Sequence, residues 1–413
     1  MSRHPTTVIV GASIGAVRTA QALRAEGYAG EIVLVGGEAA LPYDKPPLSK
    51  AFLAGTVTHA DITLLDDTTA AVAGIQLRLG RAATGLDLAG RSVELADGAR
   101  LGFDELVIAT GARARPSPWG ERPGVHTVRT AADAVALRED LARGGPLVIV
   151  GAGFIGAEIA ATATAMGTGE VTLVDPVAVP LSRVLNPAVA ERFGRLHTDR
   201  GVRTRFGVGV TGIEGRGSGL RVVLADGTEL PAATVVVGIG SVPNDEWLRG
   251  SGLTIEDGVV CDRFSQAAEH VHAVGDVARW FHPRHRRLVR AEHWTNAVEQ
   301  ANQVAHHIVH PGDPRTHEPV EYVWSDQYDW KIQLAGRTGG DLGHVVVPGA
   351  DPERTFAVLY ADPGGDFAGA VTVNWPRALI TSRKALTARA TFESVRETLT
   401  AQAMSVPMKG GTR

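Results

Sequence analysis

Two short runs of small residues are spaced to wrap a string of phosphates. The first is Gly11-Ala12-Ser13-Ile14-Gly15-Ala16, after Val8-Ile9-Val10. The second is Gly151-Ala152-Gly153-Phe154-Ile155-Gly156, after Val148-Ile149-Val150. In a strand–turn–helix of this kind the first glycine permits the tight turn. The second lets the backbone approach a pyrophosphate, and the third lets the helix pack close to the strand. The helix N-terminus offers unpaired N–H groups and partial positive charge to the phosphates. An acid at the end of the next strand accepts hydrogen bonds from ribose hydroxyls: Glu38 after the first loop, Asp175 after the second. The second loop fits the pattern fully. The first carries Ser13 and Ala16 where glycines are usual, with Gly15 one position early, and these residues are small enough for the same approach. One such loop binds one dinucleotide. Two imply that two dinucleotides meet, and the chemistry that calls for this is hydride transfer between a nicotinamide and a flavin.

Other reactive residues narrow the reading. Glu158 lies on an otherwise apolar helix face, where a carboxylate is costly unless paired. Cys261 is the one cysteine, so a disulfide framework and a redox-active dithiol within one chain are both impossible. That excludes the disulfide-reductase branch of two-dinucleotide flavoenzymes and suits a cytosolic protein. His282, His285 and His293 lack metal-ligand spacing and carry arginines between them, so no metal is expected. The run Arg284-His285-Arg286-Arg287-Leu288-Val289-Arg290 reads either as a solvated face or as a docking patch for an acidic partner.

These residues need a frame to hold them. A chain of 413 residues, 44% hydrophobic, can bury the cores of two or three domains. A net charge of −4 gives no electrostatic case for nucleic acid. The N-terminus is read as running into a strand after Thr7, so no signal peptide is expected. The most apolar stretch, residues 147–167, is the second strand–loop–helix, with Glu158 and four glycines, and not a membrane span. Residues 7–35 read as strand–helix–strand, 73–101 as short strands, 106–109 as a buried strand and 131–141 as a helix. A helix over 187–200 follows the second nucleotide unit. Strands are then expected at 202–206, 208–213, 220–224, 235–239 and 271–274, and a helix at 295–309. The tail reads as antiparallel strands at 322–334, 344–347, 355–360 and 368–374, closed by helices over 376–389 and 392–404. Residues 409–413 are expected to be disordered.

The residues resemble the FAD- and NADH-dependent ferredoxin reductases that serve bacterial oxygenases, the putidaredoxin-reductase and biphenyl-dioxygenase-reductase type. The most specific match is Pro42-Tyr43-Asp44-Lys45-Pro46-Pro47-Leu48-Ser49-Lys50. Others are Ala109-Thr110-Gly111, Gly151 to Glu158, Gly238-Ile239-Gly240 with Pro243-Asn244, Gly275-Asp276, Glu292-His293-Trp294-Thr295-Asn296-Ala297 and Trp324-Ser325-Asp326-Gln327-Tyr328-Asp329. Together they cover about residues 7 to 390.

The resemblance implies an α/β architecture: two Rossmann-like, doubly wound dinucleotide-binding domains of the glutathione-reductase kind and a C-terminal α+β domain. The FAD domain would be split over 1–114 and 246–318, with the NADH domain at 115–245 and the C-terminal domain at 319–413. FAD would be held by Gly11, Ser13, Gly15, Ala16, Glu38, Lys45, Pro46, Lys50, Ala109, Thr110, Gly111, Asp276, His293 and Trp294. Lys45 stands where arginine is more usual and lacks its bidentate fork. NADH would be held by Gly151, Gly153, Phe154, Ile155, Gly156, Glu158, Asp175 and Gly240. Residues 176–180 carry no base for a 2′-phosphate. Lys50, paired with Glu158, would act near flavin N5. A 2Fe-2S ferredoxin would dock on Arg284, Arg286 and Arg287, or around Trp324 and Trp330, and feed a haem-thiolate monooxygenase or a Rieske dioxygenase. The expected protein is cytoplasmic, a monomer or weak homodimer, with no nucleic-acid or membrane partner. The same scaffold also serves NADH oxidases, rubredoxin reductases and non-catalytic, NADH-binding signalling flavoproteins like apoptosis-inducing factor.

Overall fold

The computed structural model describes residues 4–182, 184–339 and 342–404. Residues 409–413, expected to be disordered, lie outside the described residues. The chain divides into two compact units. One comprises the chain up to Lys45, Thr58–Arg113 and Ser241–Pro319; the other comprises Pro46–Val57, Ala114–Gly240 and the chain from Val320.

The first unit is built on a six-stranded sheet. Its order is Gln266–Ala268, Val271–Ala273, Glu105–Ile108, Thr6–Val10, Glu31–Val35 and Ile75–Arg78. All neighbours pair in parallel except the antiparallel edge strand Gln266–Ala268. Strands buried on both faces read as unbroken β-branched runs. Val8, Val10, Val33 and Val35 pack into one apolar layer, while Ile9, Ile32 and Leu34 pack into the other. Parallel strands in register share one carboxyl edge, where open α/β sheets bind ligands. Gly11, Glu38, Ala109 to Gly111, and Gly275-Asp276 all follow strands at that edge. Two smaller sheets complete the unit. One is Ala83–Asp87, Ser92–Leu95 and Arg100–Gly102; the other is Val259–Cys261, Ala278–His282 and Arg287–Val289. The second places the arginine run in a hairpin, turned at Arg286 with φ +50°. The sequence had shown no strands there, because the arginines hide the short apolar alternation.

The second unit repeats the plan. Its five-stranded parallel sheet runs Arg203–Phe206, Val171–Asp175, Leu147–Val150, Thr234–Val237 and Val125–His126. Gly151, Asp175 and Gly238 to Gly240 stand at its carboxyl edge. The C-terminal part is a five-stranded antiparallel sheet, ordered Tyr322–Gln327, Trp330–Gly336, Phe367–Val373, Phe356–Ala361 and Gly343–Pro348, with helices Pro376–Thr387 and Phe392–Met404. The single strand expected over 322–334 is a hairpin. It turns at Tyr328, which takes φ +54° without a glycine, asparagine or proline to announce it. Helix Pro187–Thr198 packs Val189 and Phe193 against Trp330, Phe356 and Tyr360 of this sheet.

Candidate functional site

The first loop is shaped by a contact that only glycine permits. Gly11 has φ +133°, and a Cβ there would collide with the Ala109 carbonyl oxygen. Its N–H donates to Val35 O at 2.8 Å, tying the turn to the next strand. Ser13 stands at the N-cap of helix Ile14–Ala25 without bonding its side chain to the helix. The first helical turn therefore keeps its donors, with no acid near them. Ala16 is fully buried, so alanine suffices at the third position of the motif. Gly15 has a different reason: a Cβ there would stand 3.2 Å from Val274 and 3.8 Å from Ala297, at the crossing with helix Trp294–Val309.

The other first-unit residues are held from the same helix. The Gly275 N–H donates to the buried Gln300 side chain at 2.8 Å, and the Gln300 amide donates to Ser265 at 3.0 Å. This fixes the turn that carries Asp276. Trp294 Nε1 donates to Asp44 Oδ1 at 2.8 Å. Burial raises the Asp44 carboxyl above its usual range, and the Trp294 hydrogen bond opposes the shift. Glu38 accepts Tyr43 Oη at 2.7 Å and faces Lys45 Nζ at 3.5 Å. Asn244 closes around the Ala109 to Gly111 turn, donating to Thr110 O at 2.9 Å and accepting the Thr110 hydroxyl on its own carbonyl at 2.7 Å. His293 is the N-cap residue of helix Trp294–Val309.

The second loop answers whether these residues fit a dinucleotide. Gly151 (φ +104°) and Gly156 are demanded by packing: a Cβ on either would collide with a backbone carbonyl, of Gly238 and Gly151 respectively. Gly153 is not. A Cβ there would meet no atom within 4 Å, so protein packing gives no reason for glycine at that N-cap. The space is what a pyrophosphate approaching the helix terminus requires. Ile155, 49% exposed, adds an apolar face in the first turn, while Phe154 packs partly against the cluster around Leu185 and Trp330. Asp175 is fixed at both oxygens, accepting the Ala152 and Val177 N–H groups at 2.8 Å each. Gly240 takes φ +108° and accepts the Arg115 N–H at 2.9 Å. Together these residues form a cradle matched to a dinucleotide, as do the open helix terminus and acid of the first loop.

One turn into the helix Phe154–Met166, Glu158 is only 2% exposed and accepts three side-chain donors. Lys50 Nζ reaches Oε2 at 2.6 Å, Ser49 Oγ reaches Oε2 at 2.5 Å, and Ser325 Oγ reaches Oε1 at 2.7 Å. Gln327 donates to Ser325 at 3.1 Å, and both are buried in strand Tyr322–Gln327. Thr162, one turn along from Glu158, donates to Ser49 O at 2.8 Å. Lys50 Nζ is also 3.2 Å from Pro46 O, the first residue of the 3-10 turn Pro46–Ser49. The structure thus brings Lys50 and Glu158 together. Ser49, Ser325 and Gln327 are additions that the sequence carried only inside longer motifs; no spacing between them could reveal the contact.

Of the residues expected to dock a partner, Arg286 and Arg287 are exposed and Arg284 is half-buried, 3.7 Å from Glu318. Arg290 binds Glu292 at 2.5 Å, Asp257 at 3.2 Å and the Asp276 carbonyl at 3.2 Å. Trp324 is half-buried and stacks on Tyr322 at 5.9 Å. Trp330 corrects the expectation. It is 8% exposed and edge-packed between Phe193 and Phe356, so it belongs to the core and not to a docking face. Cys261 is buried, and burial drives its thiol far above the usual range. No helix among the described residues is long and apolar enough to cross a membrane.

Comparison with known proteins adds to this geometry. The family model described as pyridine nucleotide-disulphide oxidoreductase matches residues 5–301, and the reductase C-terminal model matches residues 322–405. The chain is 37% identical to rhodocoxin reductase of Rhodococcus erythropolis, over 92% of this chain and 88% of that protein. It is 36% identical to putidaredoxin reductase of Pseudomonas putida, over 95% and 94%. Its fold superposes on the reductase of the covalent putidaredoxin reductase–putidaredoxin complex with a TM-score of 0.90 at 34% identity, covering 98% of this chain and all of that one.

Proposed function

The chain belongs to the pyridine nucleotide-disulphide oxidoreductases, and we propose that it is an NADH-dependent flavoprotein reductase passing electrons through FAD to a 2Fe-2S ferredoxin of an oxygenase system. The observation that carries this reading is the buried Glu158 carboxylate with Lys50 on it, one turn into the helix that the second glycine loop opens. When bound, the cofactors supply hydride transfer from nicotinamide to flavin and single-electron transfer onward.

The chain's own residues bind and orient. In the first unit Gly11, the Ile14–Ala25 helix terminus, Glu38, Lys45, the Ala109 to Gly111 turn, Asp276, His293 and Trp294 hold FAD. In the second, Gly151, Gly153, Gly156, Asp175 and Gly240 hold NADH. Three donors fix the Glu158 carboxylate, leaving it no freedom to rotate, and the ammonium of Lys50 is held with it as a preorganised charge pair. With one cysteine, and that one buried, electrons leave without a protein dithiol. Such a protein suits the reducing cytoplasm. The hairpin carrying Arg284, Arg286 and Arg287 is the docking face for an acidic ferredoxin. Arg290, held by two carboxylates, is not part of it.

Steady-state oxidation of NADH with ferredoxin, rubredoxin and oxygen as acceptors tests this reading. Ferredoxin is expected to give the highest kcat/KM, falling with salt because rim charges are screened within about 10 Å at 0.1 M. Reversing Arg284, Arg286 and Arg287 to glutamate raises the KM for ferredoxin and flattens that salt dependence. Oxygen or rubredoxin as the best acceptor contradicts the assignment. An unaltered salt profile in the triple variant moves the docking face away from the hairpin.

A further inference from the structure

Two helices of the first unit end side by side, and three potential metal ligands meet there. Glu26 is the C-cap of helix Ile14–Ala25, and His310 is the C-cap of helix Trp294–Val309, with His306 one turn before it. One donor atom from each lies within 4.8 Å of the other two. His310 Nε2 is 3.1 Å from Glu26 Oε2, and His306 Nδ1 is 3.5 Å from the same oxygen. The two imidazoles stand 4.7 Å apart.

The hydrogen bonding of His306 makes this more than a surface cluster. Its side chain is 6% exposed. Nε2 lies 3.2 Å from both the carboxylate and the carbonyl of Asp313, two acceptors, so Nε2 carries the hydrogen. Nδ1 then presents a lone pair, buried and without a hydrogen bond, towards a carboxylate oxygen. Two lone pairs facing each other repel unless a proton or a cation lies between them. A charged N–H···O⁻ bond closes to about 2.7–2.9 Å, shorter than the separation found here. Zinc bonds of about 2.0–2.1 Å in a tetrahedron put neighbouring ligand atoms about 3.3 Å apart, which fits both separations to Glu26. A histidine ligand whose other nitrogen donates to a carboxylate is the usual support for a bound metal. Both helices also point their negative C-terminal ends at the site.

We propose that Glu26, His306 and His310 form a binding site for a divalent transition-metal ion, zinc foremost, with Asp313 positioning His306 and solvent completing the coordination. The site is separate from the dinucleotide loops and rests on none of the functional reading above. Its effect is mechanical. The ion clamps the far end of the first-loop helix to the helix whose Gln300 and Trp294 hold the Asp276 turn and Asp44.

The FAD-loaded full chain, stripped with EDTA, is titrated with zinc chloride by calorimetry and followed by thermal unfolding. One zinc per chain is expected to bind tighter than about 10 μM, with a rise in Tm, and magnesium is expected to have no effect. His310→Ala and Glu26→Gln, both at solvent-accessible positions, should weaken zinc by about 100-fold, and Asp313→Asn by about tenfold. His285→Ala should bind as wild type does, and flavin reduction in His310→Ala should stay unchanged. Absence of one-to-one zinc binding overturns the proposal. So does binding that survives both His310→Ala and Glu26→Gln, or that His285→Ala abolishes.

Discussion

Both oxygens of Asp175 accept backbone N–H groups, so this acid is fixed at the mouth of the second loop. A 2′-phosphate would meet it in a partly dehydrated site, with no base in residues 176–180 to compensate. An unpaired like-charge contact of about 2 kcal/mol gives NADH roughly a 30-fold advantage in kcat/KM over NADPH. Asp175→Asn with Val177→Arg should narrow that gap, whereas equal efficiency in the wild type would refute the role given to Asp175. Single residues differ in how far the sequence exposes them. Asp175 and Glu38 are legible because strand and acid follow each loop in order. Glu158 is legible as an anomaly, a carboxylate on an apolar helix face. What resolves the anomaly is not legible locally: Ser49, Lys50 and Ser325 reach Glu158 from segments far apart in the chain. His306 and His310 show an i,i+4 spacing, but their partner Glu26 lies 284 residues from His310.

At the scale of elements, the two glycine-rich turns look alike in sequence and separate in structure by what each glycine faces. Gly156 faces the Gly151 carbonyl, and Gly153 faces open space. Gly156→Ala must push helix Phe154–Met166 off its strand, at a cost of about 1–3 kcal/mol. Gly153→Ala keeps an ordinary backbone and should change stability by no more than about 1 kcal/mol. It should nevertheless raise the KM for NADH about tenfold or more, since on the proposed reading the methyl would enter the open space where the phosphate is to lie. Thermal unfolding and NADH kinetics on both variants check this. A Gly153→Ala protein with wild-type KM would show that the loop does not carry the pyrophosphate. Strong periodic segments, such as Trp294–Val309, end where the sequence places them. Among the elements missed are ones whose pattern is too short or too charged, such as the Ala278–His282 and Arg287–Val289 hairpin, the short strand Val259–Cys261 and the Tyr328 turn.

At the scale of the whole molecule, each compact unit buries a neutral histidine. Burial pushes His197 down to about 4 and His317 down to about 3. Both bind protons more readily unfolded, near 6.5, than folded. Their contribution is therefore complete above pH 6.5 and is lost as pH falls, towards about 4 for His197 and about 3 for His317. Each lowers stability by up to about 1.4 kcal/mol per pH unit in that window. Unfolding midpoints should fall between pH 6.5 and 4.5, before most carboxylates titrate. His197→Gln should flatten the part of the profile that reports the second unit; the same slope in the variant would assign the loss to other groups. The doubly wound plan itself is plain in the sequence, since two loop–helix–acid units fix two parallel sheets. Which segments each unit gathers is not. Pro46–Val57 joins the second unit because Lys50, Ser49 and Phe52 bond to Glu158, Thr162 and Arg138 there.

The central claim is that the charge pair on the second loop's helix serves the step between NADH and flavin. Stopped-flow reduction of the bound flavin at saturating NADH tests it most directly, in wild type, Lys50→Ala and Glu158→Gln, with thermal unfolding alongside to show that both variants remain folded. Reduction is expected to slow by roughly 10²–10³ in each variant, the scale of a lost preorganised electrostatic contact. Wild-type rates in both variants would contradict it and leave Lys50 and Glu158 as structural residues only.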